Sequence, residues 1–225
     1  KAWAKYHGWG LPIPREDVIS SRDVLISELS DKRDNTLLGG VTVGCFGRTV
    51  EPLIGDNVMV YDQHEKFWQQ AEEFVFLGAL DWQEKDQKLF EKAMITKPRP
   101  LHVANPDVSA PQTEGEFSKE PGFWTARMMQ VAANSGVPLD IRWYGKPFGP
   151  AFELAITKIK QKLGQEIDHR RIAMVGDSLH TDILGGAAAG MTTVLITDHG
   201  LFREREALPF CRKYGIYPDW IVKTL

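Results

Sequence analysis

The chain has 225 residues, enough for one large domain or two modest ones, and its 43% hydrophobic and 25% charged residues are typical of a globular protein. A net charge of −3 gives no reason to expect nucleic acid or an anionic membrane as a partner. Its two cysteines, Cys45 and Cys211, form no CxxC pattern, which argues against a disulfide framework and a thiolate zinc site. No apolar run is long enough for a membrane helix and no signal-peptide pattern occurs, so we predict a cytoplasmic location without membrane partners.

The first half of the chain predicts short strands separated by helices. Apolar or β-branched runs predict strands over 17–21, 41–43, 57–61, 74–77 and 101–104. Helical spacing of apolar residues predicts helices over 2–6, 23–29, 49–54 and 86–95. The stretch 109–122 is polar and rich in Pro, Gly and Glu, which predicts a long loop.

The second half continues the alternation. Helices are predicted over 124–135, 151–163 and 204–214, and strands over 141–144, 172–175, 192–196 and 219–222. Strands that alternate with helices along the whole chain indicate an α/β fold with mostly parallel sheets. No internal repeat is evident.

Residues 171–197 predict a βαβ unit with acids at its carboxyl edge. Asp177 follows the strand over 172–175, and Asp182 comes five residues later. Ser178 or Thr181 could cap a helix predicted over 183–189. The Gly185-Gly186 pair within that helix indicates close packing of helix on sheet. Ligands of open α/β sheets bind outside the carboxyl ends of the strands, so Asp177 lies at the edge where a ligand is expected.

Three candidate sites each follow a predicted strand: Asn105-Pro106-Asp107, Gly145-Lys146-Pro147, and Asp177 with Asp182. A carboxylate at a strand end suits Mg²⁺, which takes oxygen ligands, and a lysine in a rigid turn suits a phosphoryl oxygen. Each segment taken alone is also ordinary turn chemistry, and the simpler interpretation of Gly-Asp is a turn with a helix cap. No Gly-rich phosphate loop and no metal-binding histidine spacing is present.

The combination of these motifs is more specific than its parts. Gly-Lys-Pro before a helix, followed by a strand ending GDSLxTDIxGGxxAGMxT, resembles the haloacid dehalogenase superfamily. Within the superfamily, the pattern is similar to the class with a C2-type cap (class IIA), the NagD-like sugar and nucleotide phosphatases. The segments 19–21, 104–107 and 217–221 fit the same pattern, so the resemblance covers nearly the whole chain.

The resemblance implies a fold and an activity. It implies a Rossmann-like three-layer α/β/α core from residues 1–44 and 142–225, with an inserted α/β cap over 45–141. It implies a Mg²⁺-dependent phosphomonoester hydrolase in which an aspartate attacks phosphorus and water hydrolyses the aspartyl-phosphate. The substrate would be a small phosphorylated metabolite such as a sugar or nucleotide phosphate. Cap-to-cap homodimers are frequent among such enzymes, which makes a homodimer an expectation.

The resemblance implies a role for a residue only where this sequence matches the family motif. By resemblance, Asp177 is the Mg²⁺ ligand and Asp182 its acidic companion, more a supporting residue than a direct ligand. Lys146 is the lysine that touches nucleophile and phosphate. Asn105, Pro106 and Asp107 lie on the specificity loop of the cap and would face the leaving group.

Two departures from the family pattern stand out. The family's nucleophilic Asp-x-Asp and its phosphate-binding Ser/Thr are absent from the sequence, so we expect the chain to be a fragment that is inactive alone. Pro121-Gly122 is followed by the bulky Phe123 and Trp124, which would either narrow the pocket or pack as core, and we favour core packing. A non-catalytic binding protein descended from such phosphatases is the alternative interpretation.

Overall fold

The computed structural model of the protein describes residues 2–30, 37–47, 56–111 and 117–224. The chain divides into two compact units. We call Lys1–Ile19 with Lys146–Leu225 the split unit, and Ser20–Gly145 the central unit. The predicted helix over 49–54 lies outside the described residues.

The elements alternate between strand and helix as the sequence predicts. Within the described residues the strands are β1 (Val43–Phe46), β2 (Val58–Val60), β3 (Glu73–Phe76), β4 (Leu101–Val103), β5 (Ser109–Pro111), β6 (Phe117–Lys119), β7 (Ile141–Trp143), β8 (Ala173–Gly176), β9 (Thr192–Ile196) and β10 (Trp220–Val222). The α-helices are α1 (Ala2–Gly8), α2 (Ser21–Leu29), α3 (Glu65–Gln70), α4 (Glu84–Thr96), α5 (Pro121–Asn134), α6 (Gly149–Leu163), α7 (Leu184–Ala188) and α8 (Ala207–Tyr214). A π-helix, Leu179–Ile183, runs directly into α7.

The central unit is organised by a parallel sheet in the order β2-β1-β3-β4-β7. All residues of β1 and the last three of β3 are buried, which matches their continuous apolar sequence runs and is typical of parallel strands covered on both faces. Rings from the sheet and from the helices packed on it form one aromatic core, centred on Phe46, Phe67, Phe74, Phe76 and Phe90.

The bounds of the units differ from the predicted core and cap. We predicted that residues 1–44 group with 142–225, whereas residues 20–44 group with the middle of the chain. The physical reason is that β1 pairs on both sides, with β2 and with β3, so the segment leading into it belongs to that sheet. The assignment of the units as catalytic core and cap stays a prediction.

Two predictions of secondary structure, for residues 17–21 and for residues 109–122, are wrong. The stretch 17–21 is not a strand, because Ser20 caps α2: its Oγ accepts the N–H of Asp23 (3.2 Å) and the Asp23 carboxylate accepts the N–H of Ser20 (2.8 Å). The stretch 109–122 is not one long loop, because β5 and β6 pair as an antiparallel hairpin and α5 already begins at Pro121. A proline at the first helical position is a common helix start.

The aromatic pair after Gly122 packs as core. Trp124 is buried in the aromatic cluster of the central unit, and Phe123 is partly buried against that cluster. The two rings meet edge to face, with centroids 5.2 Å apart. Core packing is therefore the structural role of both side chains.

The split unit holds a three-stranded parallel sheet in the order β10-β9-β8. The glycines of α7 allow close packing, as the sequence predicts: a Cβ on Gly186 would lie 2.6 Å from Cβ of Met174 in β8. On Gly185 it would overlap the ring of Phe152 in α6. The sheet and its helices confirm the predicted α/β class with mostly parallel strands. No described helix has the length and apolar character needed to cross a membrane.

Candidate active site

The loop that follows β8 is held by a buried carboxylate. Asp182, in the π-helix, is 3% exposed, and its Oδ2 accepts the backbone N–H groups of Asp177 and Ser178, each over 3.1 Å. The predicted cap by Ser178 or Thr181 is wrong, since Ser178 forms no side-chain cap and Asp182 reaches back to the loop instead. Buried donors need partners, and a charged acceptor makes the stronger hydrogen bond.

The other oxygen of Asp182 pairs with Lys146. The ammonium Nζ of Lys146 donates to Oδ1 of Asp182, and the lysine side chain is 49% exposed whereas the aspartate side chain is 4% exposed. The peptide bond between Lys146 and Pro147 is cis. An ammonium has three donors, so pairing with Asp182 leaves donors of Lys146 for an anion on its exposed side.

Gly176 makes this arrangement possible. A Cβ atom on Gly176 would overlap the Asp182 carboxylate, so any larger residue would push Asp182 away from the loop. Gly176, which ends the apolar run of β8, thus leaves room for the Asp182 carboxylate. Asp182 joins the end of β8 to Lys146 through this contact and the hydrogen bonds described above.

Only one of the two carboxylate oxygens of Asp177 accepts a hydrogen bond from the described residues. Its Oδ2 accepts the N–H of Leu201 over 3.2 Å, and among the residues that the structure describes no donor reaches Oδ1. The side chain is partly exposed at the carboxyl end of β8. This is the edge of a parallel sheet where ligands are expected.

The site fits a hard cation held by few protein ligands. Within the described ranges no three His, Cys, Asp or Glu side chains gather as a metal-binding group. Mg²⁺ is often held by one or two carboxylates, with phosphate and water completing its shell, so a single carboxylate with a vacant oxygen suits it. Asp177 meets that description, whereas both oxygens of Asp182 are already engaged.

The Asn105-Pro106-Asp107 turn lies in the central unit, after β4. Oδ1 of Asn105 accepts the N–H of Asp107 (3.1 Å), and its Nδ2 donates to Glu120 (3.2 Å). The N–H of Gly122 donates to the carbonyl of Asp107 over 3.0 Å. The start of α5 therefore braces the turn, while the role of these residues toward a leaving group stays a prediction.

The structure brings together Lys146, Asp177 and Asp182 in the split unit, and Asn105, Pro106 and Asp107 in the central unit. It also adds two residues that the sequence analysis missed. Leu201 contributes only its backbone N–H, which no side-chain pattern reveals, and Glu120 lies in the stretch that we predicted as a loop. The sequence signal for the former is Gly200, a turn residue four positions after the end of β9.

A family model matches the C-terminal part of the chain, and solved structures match nearly all of it. Residues 143–225 match the family described as HAD-hydrolase-like. No curated protein sequence matches significantly. Among solved structures, a "possible sugar phosphatase, HAD superfamily" from Cytophaga hutchinsonii is 25% identical with a TM-score of 0.77, covering 98% of this chain and 76% of that one.

Two further structures share the fold at lower identity. A p-nitrophenyl phosphatase from Archaeoglobus fulgidus is 19% identical with a TM-score of 0.73, over 99% of this chain and 77% of that one. A 4-nitrophenylphosphatase from Thermotoga maritima is 19% identical with a TM-score of 0.66, over 98% and 75%. These matches agree with the motif that joins Lys146, Asp177 and Asp182. Over residues 143–225 the chain matches the HAD-hydrolase-like family, and over nearly its whole length it is similar in structure to these phosphatases.

Proposed function

We propose that the protein is a Mg²⁺-dependent phosphomonoester hydrolase that converts a small phosphorylated metabolite and water into an alcohol and inorganic phosphate. One observation carries the proposal: the buried Asp182 carboxylate joins Lys146 to the loop that bears Asp177. A positive charge and a metal-binding carboxylate are thereby tied to one sheet edge. The phosphatases among the similar structures support the same reaction class.

Each residue has a distinct part in the proposal. Lys146 attracts a phosphoryl oxygen with its exposed donors, and Asp182 keeps the ammonium in place. Asp177 holds Mg²⁺ through Oδ1, and the ion, when bound, offsets negative charge on the phosphoryl group. We keep the expectation that a sugar or nucleotide phosphate is the substrate. A cytoplasmic location and a homodimer also stay predictions.

The test measures phosphate release by the whole natural protein from sugar phosphates, nucleotides and p-nitrophenyl phosphate, with Mg²⁺ or with EDTA. We expect Mg²⁺-dependent release, and a loss of about 100-fold or more in kcat/KM for Lys146→Met and for Asp177→Asn, since each removes charge that stabilises the transferring group. Asp177→Asn should also weaken the dependence on Mg²⁺. Lys162→Met is the matched control, because that lysine is exposed and pairs with Asp17 in the same unit.

The alternative is a binding protein without turnover. It predicts that no ester in the panel is hydrolysed, while inorganic phosphate still binds in a manner that depends on Lys146. Wild-type turnover by both the Lys146→Met and Asp177→Asn variants would contradict the proposed site.

A further inference from the structure

A turn after β9, at the start of the short 3-10 helix Gly200–Phe202, lies against the Asp177 carboxylate. This turn, residues 199–201, approaches through two neighbouring residues. The N–H of Leu201 donates to Oδ2 of Asp177 over 3.2 Å, across a sequence separation of 24 residues. A Cβ atom built on Gly200 would overlap the same carboxylate oxygen. The backbone of the turn and the carboxylate are therefore in direct contact.

Gly200 is constrained twice over. Its φ is +70°, in the left-handed region that side chains rarely adopt, and the space where a Cβ would stand is filled by Asp177. A residue with a side chain at this position would strain the backbone, because the left-handed region favours glycine. It would also displace either the carboxylate or the turn. This displacement, unlike the backbone strain, arises from the neighbouring Asp177 carboxylate.

We propose that the 199–201 turn positions Asp177 as the metal ligand: Leu201 occupies Oδ2, and Oδ1 is left for the cation. The inference rests on the proposed function, in which Asp177 holds Mg²⁺. Carboxylates that bind metals are usually held by hydrogen bonds to their outer side, and losing such a partner typically costs about 10–100-fold in metal affinity. The turn acts through Asp177, so Gly200 and Leu201 are positioning residues.

The chain offers a matched pair of glycines for the experiment. Gly215 ends α8 with φ +69°, and a Cβ atom there would meet nothing within 4 Å. Gly200→Ala and Gly215→Ala therefore add the same methyl group in the same backbone conformation, and only the first displaces Asp177. Mn²⁺ serves as the probe, and its binding to the whole protein is measured by electron paramagnetic resonance without substrate.

We expect Gly200→Ala to weaken Mn²⁺ binding by about 10–100-fold, while Gly215→Ala keeps the wild-type affinity. Asp177→Asn is measured beside them and separates two kinds of failure. If Asp177→Asn loses affinity and Gly200→Ala matches Gly215→Ala, the positioning role is overturned and the metal assignment stands. If Asp177→Asn binds Mn²⁺ like the wild type, the metal assignment fails and the positioning role with it.

A second measurement does not depend on how well the glycine variant folds. Hydrogen exchange at the Leu201 amide is followed in the wild type and in Asp177→Ala. We expect the amide to be protected in the wild type and to exchange at least about tenfold faster once its acceptor is removed. Equal exchange in the two proteins would show that the carboxylate does not hold the turn, which overturns the inference.

Discussion

Nδ1 of His102 lies 2.7 Å from the hydroxyl of Tyr144, inside the central unit. The Nε2 of the same ring lies 2.7 Å from Glu73, and the histidine is 0% exposed. A neutral ring protonated on Nε2 satisfies both contacts, because it donates to the carboxylate and accepts from the hydroxyl. Burial lowers the pKa of His102, opposed by its hydrogen bond to Glu73, and burial raises the pKa of Tyr144 to about 12.

This network predicts a loss of stability in acid. A lowered pKa in the folded state means that the unfolded chain takes up the proton first, near its ordinary pKa of about 6.5. Stability due to His102 is therefore present above that pH and falls as the pH drops toward the folded-state pKa. The charges facing the ring and Tyr144 include Glu28, Asp140 and Arg142.

Urea unfolding at about pH 7 and about pH 5 checks the prediction. We expect His102→Gln to cost about 1–3 kcal/mol at about pH 7, since it removes a buried partner of two polar groups. The variant should lose less stability than the wild type between the two pH values. His64→Gln, which removes an exposed histidine of the same unit, is the control. Parallel losses in the wild type and His102→Gln would exclude His102 as the source.

Asp182 is expected to matter for folding as well as for the site. Asp182→Ala removes the acceptor of two backbone N–H groups and the partner of Lys146, and we expect a loss of about 1–3 kcal/mol in the free energy of unfolding. Glu166→Ala is the control in the same unit, because its ion pair with Lys160 is 85% exposed on the glutamate side. Exposed pairs contribute about 0–1 kcal/mol. Equal effects of the two variants in urea titration would contradict the prediction.

Arg99 holds the ends of two helices in the central unit. Arg99 is 6% exposed. Its guanidinium donates to four backbone carbonyls that lie within or directly after α3 and α4, those of Trp68 (2.6 Å), Ala71 (3.2 Å), Ala93 (3.1 Å) and Lys97 (3.0 Å). Arg99→Met would leave these carbonyls without that donor, and we expect a cost of at least about 2 kcal/mol by chemical denaturation. Arg205→Met at an exposed position should change little. A near-neutral Arg99→Met would mean that water replaces the guanidinium.

Gly122 fixes the spacing between α5 and the Asn105-Pro106-Asp107 turn. A Cβ on Gly122 would overlap the carbonyl oxygen of Pro106, so we expect Gly122→Ala to cost about 1–3 kcal/mol through overpacking. Gly78→Ala is the control, because its Cβ would meet nothing within 4 Å and its φ is not positive. Thermal unfolding compares the two variants. A melting temperature for Gly122→Ala equal to that of the control would show that the turn moves aside freely.

Sequence patterns were sufficient for most elements and for the place of Asp177. Short apolar runs ended by glycine predict strands. The run before Gly78 forms the buried part of β3, whereas the run before Gly176 forms β8, which is only partly buried. The helix over 183–189 and its close packing followed from small residues. The hairpin of β5 and β6 was missed because its strands are short and polar, so their pairing leaves no hydrophobic alternation to detect.

The sequence by itself determined the α/β alternation and the placement of an acid at the end of β8. Only the tertiary structure decided which groups Asp177 and Lys146 meet. Asp182 pairs with Lys146 across 36 residues, and Leu201 reaches Asp177 across 24. The Leu201 contact depends on the pairing of β8 with β9, and the Lys146 contact depends on the π-helix that carries Asp182. Local preferences do not encode that pairing, because it follows from the burial of the whole sheet.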